Sequence, residues 1–245
     1  MEKPLLYFNN NVYGMQVLLE AMVRHSVDKI VFSSTAAVYG EPKRVPIREE
    51  DETKPTNAYG ETKLTMEKMM KWISRASGIR YVSLRYFNAA GALPNGVIGE
   101  DHATETHLIP LILQVPNGKR DHITVYGDDY PTPDGTCLRD YIHVMDLAEG
   151  HVKALQGIDS KTGVFTWNLG SGKPSSVLDV LHAYEKACGK AIPYQFAPRR
   201  AGDLPAFWAN PDKAAKELGW RTSRSLEDMV ADTWRWQQKN PMGYR

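Results

Sequence analysis

Apolar residues recur at Val12, Met15, Val17–Leu19, Met22 and Val23, a spacing that predicts an amphipathic helix. It ends ahead of a short β-like run, Lys29–Phe32. From Pro42 to Pro55 the chain is charged, carries prolines and has no period, so a loop is expected. Asn57 stands where it can cap the next helix. That helix has apolar positions Leu64, Met66, Met69, Met70, Trp72 and Ile73, spread wider than one stripe, so it should pack on both a sheet and another helix. Ile79–Leu84 reads as a second buried strand. Helix, strand, helix and strand with short joints is the rhythm of a doubly wound parallel α/β sheet.

Beyond Gly91 the texture changes. Gly, Pro and Asn gather between Gly91 and Gly99, and the strand signals become short and spaced. Helices are expected over Leu108–Val115, Val144–Leu155 and Leu226–Gln238, and a strand over Ile123–Tyr126 before the turn-rich Gly127–Gly135. Ser176 with Asp179 forms a capping box ahead of Val177–Tyr184. Two lobes are expected, with the boundary near Phe87–Ala92.

The chemistry sits in the first lobe. Tyr59 and Lys63 are four apart, so on a helix they share a face. An ammonium there is expected to stabilise a phenolate and to draw the tyrosine pKa down from about 10. Ser33, Ser34 and Thr35 close the upstream strand and supply hydroxyls for a reacting alcohol. About one Tyr-x-x-x-Lys would arise by accident in a chain of this composition, so the order of elements around the pair carries the signal.

Composition narrows the classes. The chain has 245 residues, 42% hydrophobic and 24% charged, with a formal net charge of +1. That balance offers no basic excess for nucleic acid or a membrane surface. No run is long enough to span a bilayer. Cys137 and Cys188 stand in no metal spacing, and a reducing cytoplasm is expected. The seven histidines show no ligand constellation, so no metal is expected, and His143 is read as a structural hydrogen bonder.

Ser33-Ser34-Thr35-Ala36-Ala37-Val38-Tyr39-Gly40, Tyr59-x-x-x-Lys63 and Arg85-Tyr86-Phe87-Asn88-Ala89-Ala90-Gly91-Ala92 together resemble the UDP-glucose 4-epimerases. These belong to the extended short-chain dehydrogenase/reductase superfamily. Tyr130-Pro131-Thr132, Arg139–Asp146, Trp167–Gly170, Pro198–Asp203 and Trp234–Gln237 continue the likeness along the chain. The resemblance implies a Rossmann-type sheet and a smaller substrate lobe. Residues 1–90 would be the second half of a dinucleotide-binding domain, and 91–245 mainly a nucleotide-sugar domain with segments able to return to the first. It implies an NAD-dependent enzyme that interconverts UDP-galactose and UDP-glucose through a 4-keto sugar, as a homodimer. Such relatives open with a glycine-rich strand–turn–helix. Here no G-x-G-x-x-G occurs, so an N-terminally truncated member, inactive or poorly folded alone, is expected. Gly170-x-Gly172 is read as a tight turn.

By resemblance Tyr59 is the acid/base, Lys63 tunes it and meets the nicotinamide ribose, and Thr35 bridges the sugar hydroxyl to the phenol. Asn10, Ser33, Ser34 and Phe87 join Tyr59 and Lys63 as cofactor residues, although Ser33 and Ser34 also suit holding the loop and Asn9–Asn11 a polar helix start. Asn88, His107, Leu108, Thr124, Tyr126, Arg139, Arg200, Asp203 and Phe207 join Thr35 on the UDP-hexose. The arginines suit a diphosphate, the plainer alternative being surface charge paired with Asp140 or Asp203. Phe207 either walls the sugar pocket or is a core aromatic. A sibling dehydratase or decarboxylase would need an acid just after Thr35, where Ala36 and Ala37 stand. A non-enzymatic UDP-binding remnant is the other alternative.

Overall fold

The structure is a computed structural model describing residues 3–159 and 164–244. The chain divides into two compact units. Unit 1 comprises Met1–Phe87, Ala148–Leu169 and Ala209–Arg221, and unit 2 comprises Asn88–Leu147, Gly170–Trp208 and Thr222–Arg245.

Unit 1 begins with α1 (Pro4–Tyr7), a π-helical segment (Phe8–Tyr13) and α2 (Gly14–Arg24) in unbroken succession. Asn9–Asn11 therefore lie inside a helical run and not at its start. There Asn11 donates to the Thr62 hydroxyl at 2.9 Å. β1 (Lys29–Thr35) follows, then a 3₁₀ turn (Ala36–Tyr39) and α3 (Ala58–Ser77). The Asn57 side chain caps α3, accepting from the Gly60 amide, and Gly78 closes it in the left-handed conformation. β2 (Arg80–Tyr86) is buried over most of its length, as a strand covered on both faces must be. It pairs in parallel with β1 on one side and with β7 (Val164–Leu169) on the other. Among the described residues β1 has no second strand neighbour. Met15, Leu19 and Met22 of α2, Phe32, Met66 and Met70 of α3, Ile79 and Tyr81 form the core beneath the helices. The wide apolar face of α3 thus meets both sheet and helix.

Unit 2 is assembled from short pieces. β3 (Asn88–Ala90), α4 (Leu108–Gln114), β4 (Ile123–Tyr126), β5 (Leu138–Arg139) and β6 (Tyr141–His143) come first, and α5 (Val144–Ile158) follows, passing into unit 1 at Ala148. After β7 come β8 (Ser175–Ser176), α6 (Val177–Cys188), β9 (Tyr194–Ala197), β10 (Ala206–Phe207), α7 (Asp212–Leu218, within unit 1) and α8 (Leu226–Lys239). β3 pairs with β6, β4 with β9, and β5 with both β10 and β8. α6 and α8 each start in a complete capping box. Ile112, Ile123, Val180, Leu181, Tyr184 and Val230 are among the residues of its core. Gly170–Gly172 forms a bend gathered by Asp140, which accepts from the Ser171 and Gly172 amides.

Candidate active site

Thr35 ends β1 and caps the 3₁₀ turn, its hydroxyl accepting from the Ala37 amide at 3.1 Å. The first turn of α3 is pressed against this turn. A Cβ at Gly60 would lie 2.6 Å from the Ala37 carbonyl oxygen. Glycine beside Tyr59 is what lets the helix approach the strand end.

Four residues on, the Lys63 ammonium donates to the Ser33 carbonyl at 3.0 Å. It lies 5.0 Å from the Phe32 ring centre and 5.7 Å from that of Tyr59. Burial lowers the lysine pKa. Burial also raises that of Tyr59; Tyr86 and Tyr7 push the same way, and the Thr35 hydroxyl opposes them. The expectation of an acidified phenol is therefore corrected for this state. The ammonium is committed to a carbonyl and is itself partly desolvated, while Tyr59 is half-buried. With one of three ammonium protons engaged, Lys63 retains donors that suit a ribose diol. The donor set fits the nicotinamide-riboside end of NAD.

Ser33 and Ser34 part company because strand neighbours point to opposite faces. The Ser33 hydroxyl lies 3.0 Å from His151 Nε2. Ser34 is wholly buried and donates to Glu67 Oε1 at 2.5 Å. Its assignment as a cofactor contact is corrected: it is a buried anchor. Asn10 is exposed and donates to Asn11, and Phe87 is half-buried.

Glu67 is not among the residues that the sequence singles out. The carboxylate receives Arg85 through two bonds, Nε to Oε1 at 3.0 Å and Nη2 to Oε2 at 2.6 Å. Arg85 Nη1 donates to the Tyr39 hydroxyl at 3.0 Å, and Tyr39 donates to Asn168 at 2.7 Å. The Asn168 amide in turn reaches Glu49 at 2.7 Å. Burial pushes the Tyr39 pKa up to about 12 and raises that of Glu49. Tyr59, Lys63 and Glu67 are spaced i, i+4, i+8, so the face that carries the chemistry is also bolted to the ends of β1 and β2. That spacing was the available signal.

In unit 2 the structure gathers Tyr126, Arg139, Arg200, Asp203 and Phe207. Arg200 lies 4.9 Å over the Tyr126 ring and donates to Asp203 at 2.8 Å. Arg139 reaches Asp203 at 3.8 Å and donates to the Leu138 and Leu204 carbonyls. Phe207 is half-buried and pairs in register with Arg139. Thr124 shares a face of β4 with Tyr126. Asn88 is exposed at the start of β3, its amide held by the Asp140 carbonyl. Leu108 opens α4, and His107 caps it without a side-chain bond to the helix. His107 instead stands beside Glu100 and Glu105. His102 completes a close cluster of potential ligands there. The expectation that the histidines form no ligand constellation is not met at this loop.

His143 behaves as the sequence suggested. It is fully buried, accepts from the Met145 amide at Nδ1 and lies 3.2 Å from Asp232 through Nε2. Gly91, at φ +86°, lies against this ring; a Cβ there would sit 2.8 Å from Nε2.

The profile of the NAD dependent epimerase/dehydratase family matches residues 1–170. A UDP-glucose 4-epimerase of Halalkalibacterium halodurans is 52% identical over 247 residues, covering all of this chain and 73% of the relative. A solved UDP-glucose 4-epimerase superposes with a TM-score of 0.97 at 52% identity, over 100% of this chain and 75% of its own. The UDP-glucose 4-epimerase of Bifidobacterium longum, in complex with NAD+ and UDP, gives 0.93 at 49% identity, over 99% and 73%. The Rossmann-type fold, the family profile and identity along the whole length agree, and the chain belongs to the NAD-dependent epimerase/dehydratase family.

Proposed function

We propose that the protein is an NAD-dependent UDP-glucose 4-epimerase, interconverting UDP-galactose and UDP-glucose through a 4-keto intermediate. About half of its residues match such enzymes over its full length, and Thr35, Tyr59 and Lys63 meet at one strand end. That conjunction carries the reading.

Tyr59 takes the proton of the sugar 4-hydroxyl, relayed by Thr35, and gives it back after the ring has turned. NAD, held by Lys63 at its nicotinamide ribose, would supply reversible hydride transfer at C4. Lys63 holds the nicotinamide ribose from α3. Glu67 and Arg85 keep α3 in register with β1. In unit 2, Arg139 and Arg200 share a single carboxylate, Asp203, so their combined charge stays positive and suits a diphosphate. A sugar that must swivel requires looser holding than its diphosphate. Ala36 and Ala37 supply no second acid, which favours epimerisation over dehydration.

A second copy of the chain is the proposed partner. The groove between α2 and α3, about 760 Å³, is lined by Leu19, Val23, Met69, Trp72 and Ile73 among others, and Trp72 is 68% exposed. Among the described residues no helix is long and apolar enough to cross a membrane. Free thiols at Cys137 and Cys188 fit the proposed cytoplasmic location.

The test is conversion of UDP-galactose with NAD supplied, followed by NMR of the anomeric proton. UDP-glucose should form, and Tyr59→Phe should slow its formation about 10³-fold. UDP binding without conversion would overturn the reading in favour of a non-enzymatic UDP-binding protein. A 4-keto-6-deoxy product would overturn it in favour of a dehydratase.

A further inference from the structure

We propose that the loop before α4 is a zinc-class metal site, with Glu100, His102, Glu105 and His107 as its ligands. Glu100 Oε1 lies 2.6 Å from His107 Nδ1 and 3.0 Å from His102 Nε2, and Glu105 Oε1 lies 3.5 Å from His107 Nδ1. One donor atom from each residue falls within 4.8 Å of all the others. Tetrahedral zinc, with bonds of about 2.0–2.2 Å, sets its ligand atoms roughly 3.3 Å apart. These three separations bracket that value, and the remaining pairs lie within 4.8 Å.

The chemistry of the set points the same way. Two imidazoles and two carboxylates match a borderline cation such as zinc. Magnesium and calcium favour oxygen-only shells and higher coordination. The two carboxylates bring a formal charge of −2, and the ion pairs of both glutamates among the described residues run to His102 and His107 and not to Lys or Arg. The imidazole nitrogens facing Glu100 must carry protons to bond with it. A divalent cation takes the place of those protons and neutralises the pair.

The ligands are anchored unequally. Glu105 is nearly buried and accepts from the Thr106 and His107 amides at 2.8 Å. His102 and His107 are exposed enough for an ion to reach them. A cavity of about 140 Å³ lies against Glu100, His102 and Glu105. Binding would staple residues 100–107 to one another and fix His107, the residue that caps α4. The inference concerns the loop alone and does not rest on the epimerase reading.

Zinc chloride titrated into the full chain, by calorimetry and by competition with a chromophoric zinc indicator, tests it. One zinc per chain is expected, with no comparable heat from magnesium chloride. His102→Ala, at an exposed position, should weaken zinc binding roughly 100-fold with an unchanged circular dichroism spectrum, and His107→Gln should do the same. Cys188→Ser should bind zinc as the parent does. Retention of parental zinc affinity in both histidine variants, loss of it in Cys188→Ser, or equal binding of magnesium would overturn the proposal.

Discussion

Unit 1 keeps its decisive ion pair in the interior, whereas unit 2 leaves one of its arginines, Arg200, largely in water. Arg85 and Glu67 are each about 8% exposed and meet through two bonds. The Arg200 side chain is 59% exposed, and both it and Arg139 lean on one aspartate. A buried ion pair is costly to desolvate and adds little net stability, but it tolerates only one geometry. A half-exposed arginine stays hydrated until an anion takes the place of water. Proton transfer over a hydrogen-bond length needs the first arrangement. Gripping a flexible diphosphate needs the second.

The sharpest way to break this contrast is at the phenol. Tyr59→Phe should lower epimerisation about 10³-fold, within the range for loss of a general acid–base. UDP affinity, which we assign to unit 2, should stay within twofold by calorimetry. Equal losses of rate and UDP affinity would erase the division of labour.

Glu67→Gln comes next. It leaves the Arg85 guanidinium buried without its counter-ion, a change that costs about 3–5 kcal/mol. Urea unfolding monitored by tryptophan fluorescence should show it. Replacing Glu67 and Arg85 together by apolar residues should recover much of the loss. A variant within about 0.5 kcal/mol of the parent would mean that the pair is not a clamp.

Arg200→Ala should act the other way round. Its ion pair is exposed, so stability should change by less than about 1 kcal/mol. UDP affinity should fall roughly 10- to 100-fold, the worth of one or two hydrogen bonds to a charged group. Raising the salt concentration should weaken UDP binding in the parent more than in the variant.

Much of unit 1 was legible because its elements are long. The apolar stretch of α3 and the buried runs of β1 and β2 each exceed one period, and the cap at Asn57 is a local signal. The Ser176–Asp179 box in unit 2 was legible for the same reason. β5, β8 and β10 are two residues each, too short to show alternation. At the site, three adjacent hydroxyls concealed that Ser34 points away from Ser33 and Thr35. A lone glutamate in a helix reads as a solvent residue, so Glu67 passed unnoticed until Arg85 was seen to meet it. The phenol's pKa was misjudged because charge proximity can be read from spacing, whereas desolvation depends on what packs around the ring. Glu100, His102, Glu105 and His107 match no familiar ligand spacing, and only the path of the loop brings them together.

The smallest expected effect separates the units by pH. Arg85 stays charged throughout the ordinary range, but His143 in unit 2 is titratable and buried. Desolvation lowers its pKa below 6.5, against the opposing pull of Asp232. The unfolded chain therefore takes up a proton first as pH falls. The contribution of His143 to stability is complete above about pH 6.5 and is lost as pH drops through that value toward the folded pKa. The slope cannot exceed about 1.4 kcal/mol per pH unit for one group. Hydrogen exchange corrected for its intrinsic pH dependence should show amides of 88–91 and 141–147 losing protection between pH 7 and 5.5. Amides of β2 should hold theirs. His143→Asn should flatten the difference, since an amide side chain fills much of the site without titrating. If β2 loosens in step with the His143 region in the parent, acid sensitivity belongs to the whole chain, and the contrast between inert and titratable buried charge fails.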